Sequence, residues 1–171
     1  MAVEVRQSSI HGRGCFASTA IRAGKRIIEY TGRRISLGEA NERYWERPST
    51  YLLGLNDGTV IDGLGIASFI NHSCDPNCRV EEDDGRVWVW SLYDIAAGEE
   101  LTFDYKLRNS GIVDMPCHCG ARHCRGTMFS AEEVKKRERR GQRSGRTRQK
   151  VRRRSGSARA NAGRAKGKRR G

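Results

Sequence analysis

The chain has 171 residues, room for one ordinary domain with a core that needs no disulfides, and a formal net charge of +13. That charge is segregated: residues 135–171 hold 18 basic side chains and one acidic, a net of +17, while residues 1–134 hold 15 basic and 19 acidic, a net of −4. No apolar run approaches the roughly 18 residues that span a bilayer, and the Met1–Arg6 stretch lacks the apolar centre of a classical secretory signal, so an intracellular protein with no membrane partner is expected.

In chain order, residues 2–6 alternate in polarity and predict a first strand, and Gly12 and Gly14 bracket a turn into a second. Arg26–Tyr30 reads as a strand ended by Gly32. Ser36 has the position of a helix N-cap, with Glu39 completing a capping box, so a helix is expected to run to about Arg47 and stop at Pro48. Tyr51–Leu55 and Thr59–Asp62, joined through Asp57-Gly58, predict a hairpin. Gly65–Phe69 predicts one helical turn. Glu81–Gly85 reads as an acidic turn, and the uninterrupted apolar run Val87–Trp90 as a buried central strand rather than a one-faced one. Short strands, one helix and frequent glycine turns make the fold mainly β, within the α+β class. From Lys135 onward Arg, Lys, Gly, Ser and Ala dominate. Such a segment cannot bury enough apolar surface to offset its ordering entropy, so a disordered basic tail is expected over 131–171, with a helical start at Ala131–Val134.

Chemistry concentrates in three segments. Asn71–Asn77 packs an amide, an imidazole, a hydroxyl, a thiol and a carboxylate into seven residues, and Gly98–Tyr105 ends on a tyrosine. Cys117, Cys119 and Cys124 lie within eight residues, with one residue between the first two. That is metal-ligand spacing in a reducing compartment rather than a disulfide framework. Structural zinc takes four such ligands in a tetrahedron, and the fourth is open among Cys74, Cys78, His118 and His123.

In combination these segments resemble the SET-domain protein-lysine methyltransferases. The resemblance is carried by Ile10–Gly14, Glu29–Gly32, Phe69–Asn77 and Gly98–Tyr105, in that order, followed by Cys117–Cys124 where the family has its post-SET zinc segment. It covers about residues 3–128 and is closest to the trithorax-like branch. It implies a β-clip fold of small curved sheets with a threaded C-terminal segment: a SET domain over 1–110, a zinc-bound post-SET segment over 113–130 and the basic tail over 131–171. It also implies S-adenosylmethionine as methyl donor and one structural zinc ion. By the same resemblance His11, Gly12, Arg13, Gly14, Asn71, His72 and His118 contact the cofactor, Tyr51 lies near both cofactor and substrate lysine, and Tyr105, also beside the cofactor, is the catalytic tyrosine. Cys74 becomes the fourth zinc ligand beside Cys117, Cys119 and Cys124. Cys15 is then a small core residue and Cys78 a buried neighbour of the site. Phe103 falls where the family chooses between Phe and Tyr; lacking a hydroxyl, it leaves room for second and third methyl groups.

The implied reaction has simple physical requirements. A lysine of pKa about 10.4 needs about 4–5 kcal/mol to deprotonate at pH 7. A narrow apolar channel lowers that pKa by desolvation, and alignment of the reacting atoms can contribute up to about 7–11 kcal/mol. The net acidic residues 1–134, with Glu99-Glu100 as a cluster, suit a basic substrate, a histone or histone-like protein, while Glu81–Asp84 reads rather as a solvated turn. The tail suits nonspecific nucleic acid through counterion release, and it also suits an import signal or self-methylation at Lys150, Lys166 or Lys168. The expected location is a bacterial cytoplasm or nucleoid, or a nucleus, including that of a host. Two other whole-protein readings compete: a basic nucleic-acid-binding chromatin-type protein with an inactive SET domain, and a zinc-binding interaction module.

Overall fold

The computed structural model describes residues 2–44, 51–108 and 114–140. They fall into two compact units, residues 2–44, 51–106 and 114–128 in the first, and residues 107–108 and 129–140 in the second. No helix of the described residues is long and apolar enough to cross a membrane.

The first unit is made of short strands: β1 (Val3–Gln7), β2 (Arg13–Ala17), β3 (Arg26–Glu29), β4 (Gly32–Ser36), β5 (Leu52–Gly54), β6 (Thr59–Gly63), β7 (Asn71–His72), β8 (Cys78–Asp83), β9 (Arg86–Ser91) and β10 (Glu100–Phe103). The larger sheet runs β1-β2-β10-β8-β9-β3, with β7 also paired to β10, and a smaller sheet runs β4-β6-β5. β10 is therefore central although it is last in sequence. It pairs antiparallel with β2 through Leu101 and Cys15, and parallel with β7 and β8 through Phe103, His72 and Cys78. The core follows from this order: Cys15, Leu101, Val89, Ile95, Ile70 and Cys78 are all within 1 % of full burial and pack into one cluster. Each such aliphatic side chain contributes about 1.5–3 kcal/mol by leaving water. Cys15 and Cys78 are indeed core residues, and burial pushes both thiols up to about 12.

Most predicted elements are present, with three corrections. The predicted helix is α1 (Leu37–Tyr44), and Ser36 Oγ accepts the Glu39 N–H at 3.1 Å, as an N-cap should. The Glu39 carboxylate, however, is spent on Arg33 and Arg43; the expected helix end at Arg47–Pro48 lies outside the described residues. The first correction concerns Glu81–Gly85. Glu81–Asp83 belong to β8, and the turn is only Asp84-Gly85, whose φ values of 48° and 71° make the two-residue geometry that matches strand twist. The second concerns Val87–Trp90. β9 is central between β8 and β3, but only Val87, Val89 and Ser91 face the core. Trp88 and Trp90 lie on the other face, where Arg26 and Arg86 sit 4.3 and 4.6 Å from the Trp88 ring centre and Arg79 sits 5.6 Å from that of Trp90. Guanidinium stacking lets a large aromatic occupy a wet face, so an apolar run need not be buried on both sides.

The third correction concerns the second unit. Leu107 bridges Phe129, and the helical start expected at Ala131–Val134 continues as a helix, α2, over residues 131–140. Ser130 Oγ caps it by accepting the Glu133 N–H at 3.2 Å, and Arg137 both pairs with Glu133 at 3.0 Å and covers the Phe129 ring at 3.8 Å. A cap, an i,i+4 ion pair and one aromatic anchor suffice to order a basic segment that composition alone marks as disordered. Residues 141–171 lie outside the described residues.

Candidate active site and metal centre

β7 is only two residues long, but its parallel pairing places Asn71 opposite Thr102 and His72 opposite Phe103, at the heart of the sheet. Asn71 is buried, and four acceptors surround its Nδ2: Glu100 Oε1 at 2.8 Å, Ser8 Oγ and Arg13 O at 3.1 Å, and His11 O at 3.3 Å. The Ser8–Gly14 loop is thus fastened over Asn71 by its backbone carbonyls. Gly12, at φ 48°, makes the tight turn that lets Ser8 N–H reach Gly12 O at 2.9 Å. His11 is exposed, and the Arg13 guanidinium lies 4.2 Å from the Phe69 ring centre.

His72 is 2 % exposed. Its Nδ1 accepts the Tyr105 N–H at 3.1 Å and its Nε2 lies 3.4 Å from Cys74 Sγ. Burial pulls the imidazole below its usual pKa, more than the Asp104 carboxylate at 3.5 Å raises it. With Nδ1 already accepting, the ring proton belongs on Nε2, so the ring is neutral and the Asp104 contact is no ion pair. Asp104 is instead paired with Arg125 at 2.7 Å.

Tyr105, Phe103 and His72 form an aromatic group, with ring centres 5.0 Å apart for Phe103–Tyr105 and 5.3 Å for His72–Tyr105. The Tyr105 hydroxyl donates to Ile70 O at 2.9 Å and is pushed up to about 12 by burial, with lesser contributions from Glu100 and Tyr51. Tyr51 is 49 % exposed, and its ring meets Phe69 edge-on. Tyr30, given no role from the sequence, belongs here too: its buried hydroxyl donates to Tyr51 O at 2.7 Å. Burial raises its pKa, with Tyr105, Asp62 and Tyr51 adding to the shift. The signal was available, since Tyr30 stands inside the Glu29–Gly32 motif.

The sulfurs of Cys74, Cys117, Cys119 and Cys124 all lie within 4.8 Å of one another, with Cys74 at 3.8 Å from Cys117 and 3.9 Å from Cys124. A tetrahedron with metal–sulfur bonds of about 2.3 Å has edges of about 3.8 Å, so the donor set and spacing are compatible with a zinc site. N–H groups turn toward the sulfurs: Arg125 N to Cys74 at 3.4 Å, Cys74 N to Cys119 at 3.5 Å and Gly126 N to Cys124 at 3.4 Å. Burial opposes ionisation of Cys119, yet the N–H groups of Cys74 and Ala121, with the neighbouring thiols, bring it down to about 6. Of the other residues considered as a fourth ligand, Cys78 is in the core, while His118 and His123 are exposed and outside the cluster.

The SET domain family model matches residues 12–106, more than half of the chain. The chain belongs to the SET domain family. Among curated relatives, this SET domain chain is 42 % identical over 136 residues, 71 % of its length, to "Histone-lysine N-methyltransferase, H3 lysine-4 specific" of Saccharomyces cerevisiae. It is 42 % identical over 140 residues, 74 % of its length, to the protein of the same description from Neurospora crassa. It is 40 % identical over 136 residues, 72 % of its length, to human "Histone-lysine N-methyltransferase 2B". The chain spans only 13 %, 11 % and 5 % of these three relatives.

Proposed function

We propose that this chain transfers methyl groups from S-adenosylmethionine to lysine side chains of a basic protein of the histone class. The observation that carries the reading is the convergence of Asn71, His72 and Tyr105 under the Ser8–Gly14 loop, in a chain whose relatives are named histone-lysine methyltransferases. Asn71, His72 and the loop residues His11–Gly14 hold the cofactor, with His118 at its edge; Tyr51 and Tyr105 border the lysine. Four thiols at 3.8–4.8 Å suit one zinc ion, held by Cys74, Cys117, Cys119 and Cys124.

The bound cofactor supplies a methyl group already activated on a sulfonium. What remains for the protein is to strip water from the amine, aim it and leave it unprotonated. Tyr105, with its hydroxyl pushed up to about 12, stays protonated at neutral pH and serves as a hydrogen-bonding guide rather than a base. The lysine proton therefore leaves to water. Phe103 brings a bare ring beside Tyr105, with room for a partly methylated amine, so the products extend to di- and trimethyl-lysine. The place of action is wherever DNA is packaged by such basic proteins, and the Arg- and Lys-rich tail binds nucleic acid there. Radiolabelled cofactor with a histone mixture tests the reading: intact protein should label a histone and Tyr105→Phe should not. Absence of label with the intact chain would reject it.

A further inference from the structure

We infer that Glu100 is a positioning residue for the cofactor, its carboxylate tying the Ser8–Gly14 loop and the Asn71 amide into one wall. The identity of the ligand rests on the methyltransferase reading; the tie does not. Glu100 opens β10, where an ordinary glutamate would extend into solvent. Here it is folded inward and partly buried. Oε1 accepts from Ser8 Oγ at 2.8 Å and Asn71 Nδ2 at 2.8 Å, and Oε2 lies 2.9 Å from the same Ser8 hydroxyl.

The directions of these bonds are fixed by valence. A carboxylate only accepts, so the Ser8 hydroxyl must donate to it. The Ser8 oxygen is then left as acceptor for the N–H of Ile10 at 3.0 Å and the amide of Asn71 at 3.1 Å. Ionised acceptors make the stronger hydrogen bonds, which places Glu100 at the root of the network. Gly14 makes the space: a Cβ there would collide with Glu100 Oε1. One position thus has no side chain so that another can reach in. The neighbouring Glu99 is equally occupied, accepting from Asn77 Nδ2 at 2.9 Å and Ala96 N at 3.0 Å. Glu99 stays on the surface, whereas the Glu100 carboxylate is turned inward and taken up by Ser8 and Asn71.

The test uses the full chain and two variants, Glu100→Gln and Ser8→Ala. Amide exchange over residues 8–14 is measured without cofactor, and calorimetry gives affinities for S-adenosylmethionine and for S-adenosylhomocysteine, which lacks the sulfonium charge. Both variants should speed exchange at Ile10 and its neighbours, and weaken both compounds equally, by about tenfold, the worth of one charge-assisted hydrogen bond. The peptide KM should not change. Unaltered exchange in folded variants, or unaltered affinity, overturns the inference. So does a loss confined to S-adenosylmethionine, which would make Glu100 a counter-charge instead. A wild-type chain that binds neither compound would sink the methyltransferase reading, with exchange at residues 8–14 still deciding the tie.

Discussion

The backbone N–H of Tyr105 donates to His72 Nδ1 at 3.1 Å, and the same ring presents Nε2 to Cys74 Sγ at 3.4 Å. One neutral imidazole thus holds the backbone just past the end of β10 and also turns its other nitrogen to a sulfur of the four-cysteine cluster. Partners of metal ligands typically tune affinity by about 10–100-fold. His72→Ala should weaken zinc by that order in a chelator competition, in addition to any loss of methyl transfer. Unchanged zinc affinity would show that the ring serves only the tyrosine side.

Cys74→Ser should lower zinc content and methyl transfer together, because Cys74 stands directly beside the Asn71-His72 pair. His118→Ala and His123→Ala, both outside the cluster, should keep zinc at full occupancy. Metal analysis of the three purified variants checks the assignment, and a Cys74→Ser protein that retains its zinc would refute it.

Tyr105 gives a pH signature. Its pKa is raised from 10.0 to about 12 in the folded chain, so the unfolded chain ionises first as pH rises. Stability contributed by the buried neutral hydroxyl is complete below about pH 10 and is lost as pH rises toward 12. Thermal melts of wild type should fall through that window more steeply than those of Tyr105→Phe. The methyl-transfer rate should show no limb from tyrosine ionisation below pH 10.

Phe103→Tyr should shift the product toward monomethyl-lysine. A hydroxyl added to a ring 5.0 Å from that of Tyr105 can hold a water where a second methyl must fit. Mass spectrometry of a peptide substrate should register at least about a tenfold drop in trimethylated product, an order that one hydrogen bond can supply. An unchanged product distribution would dismiss steric control at this position.

Deleting residues 141–171 should abolish salt-sensitive binding to duplex DNA, because most of the +17 segment goes with it. Methylation of a short peptide should survive. Full DNA affinity without the tail would move nucleic-acid binding to the folded units.

Much of this was legible in the sequence because the chemistry sits in compact motifs. The Cys117, Cys119 and Cys124 spacing announces a thiolate site by itself, and Asn71-His72 and Tyr105 stand in recognisable strings. Spacing could not select the fourth ligand, since Cys74 joins the other three across more than forty residues by tertiary approach alone. β4 carries no apolar run because Arg33 and Arg34 make it a charged edge strand, held by its ladder with β6 and by the one buried side chain, Ile35. Glu100 looked like one of two exposed acids, since nothing local reveals that Gly14, 86 positions earlier, leaves a space for it.

The central place of β10 bears on how the chain is made. Until residue 103 has left the ribosome, β2 and β8 both present open edges, and the contact Leu101–Cys15 closes a loop of most of the domain. Such non-local pairing folds slowly and leaves unpaired strand edges exposed meanwhile. The sheet can therefore close only after nearly the whole domain has been synthesised, so a chain stalled before Glu100 is a natural substrate for chaperones and proteases.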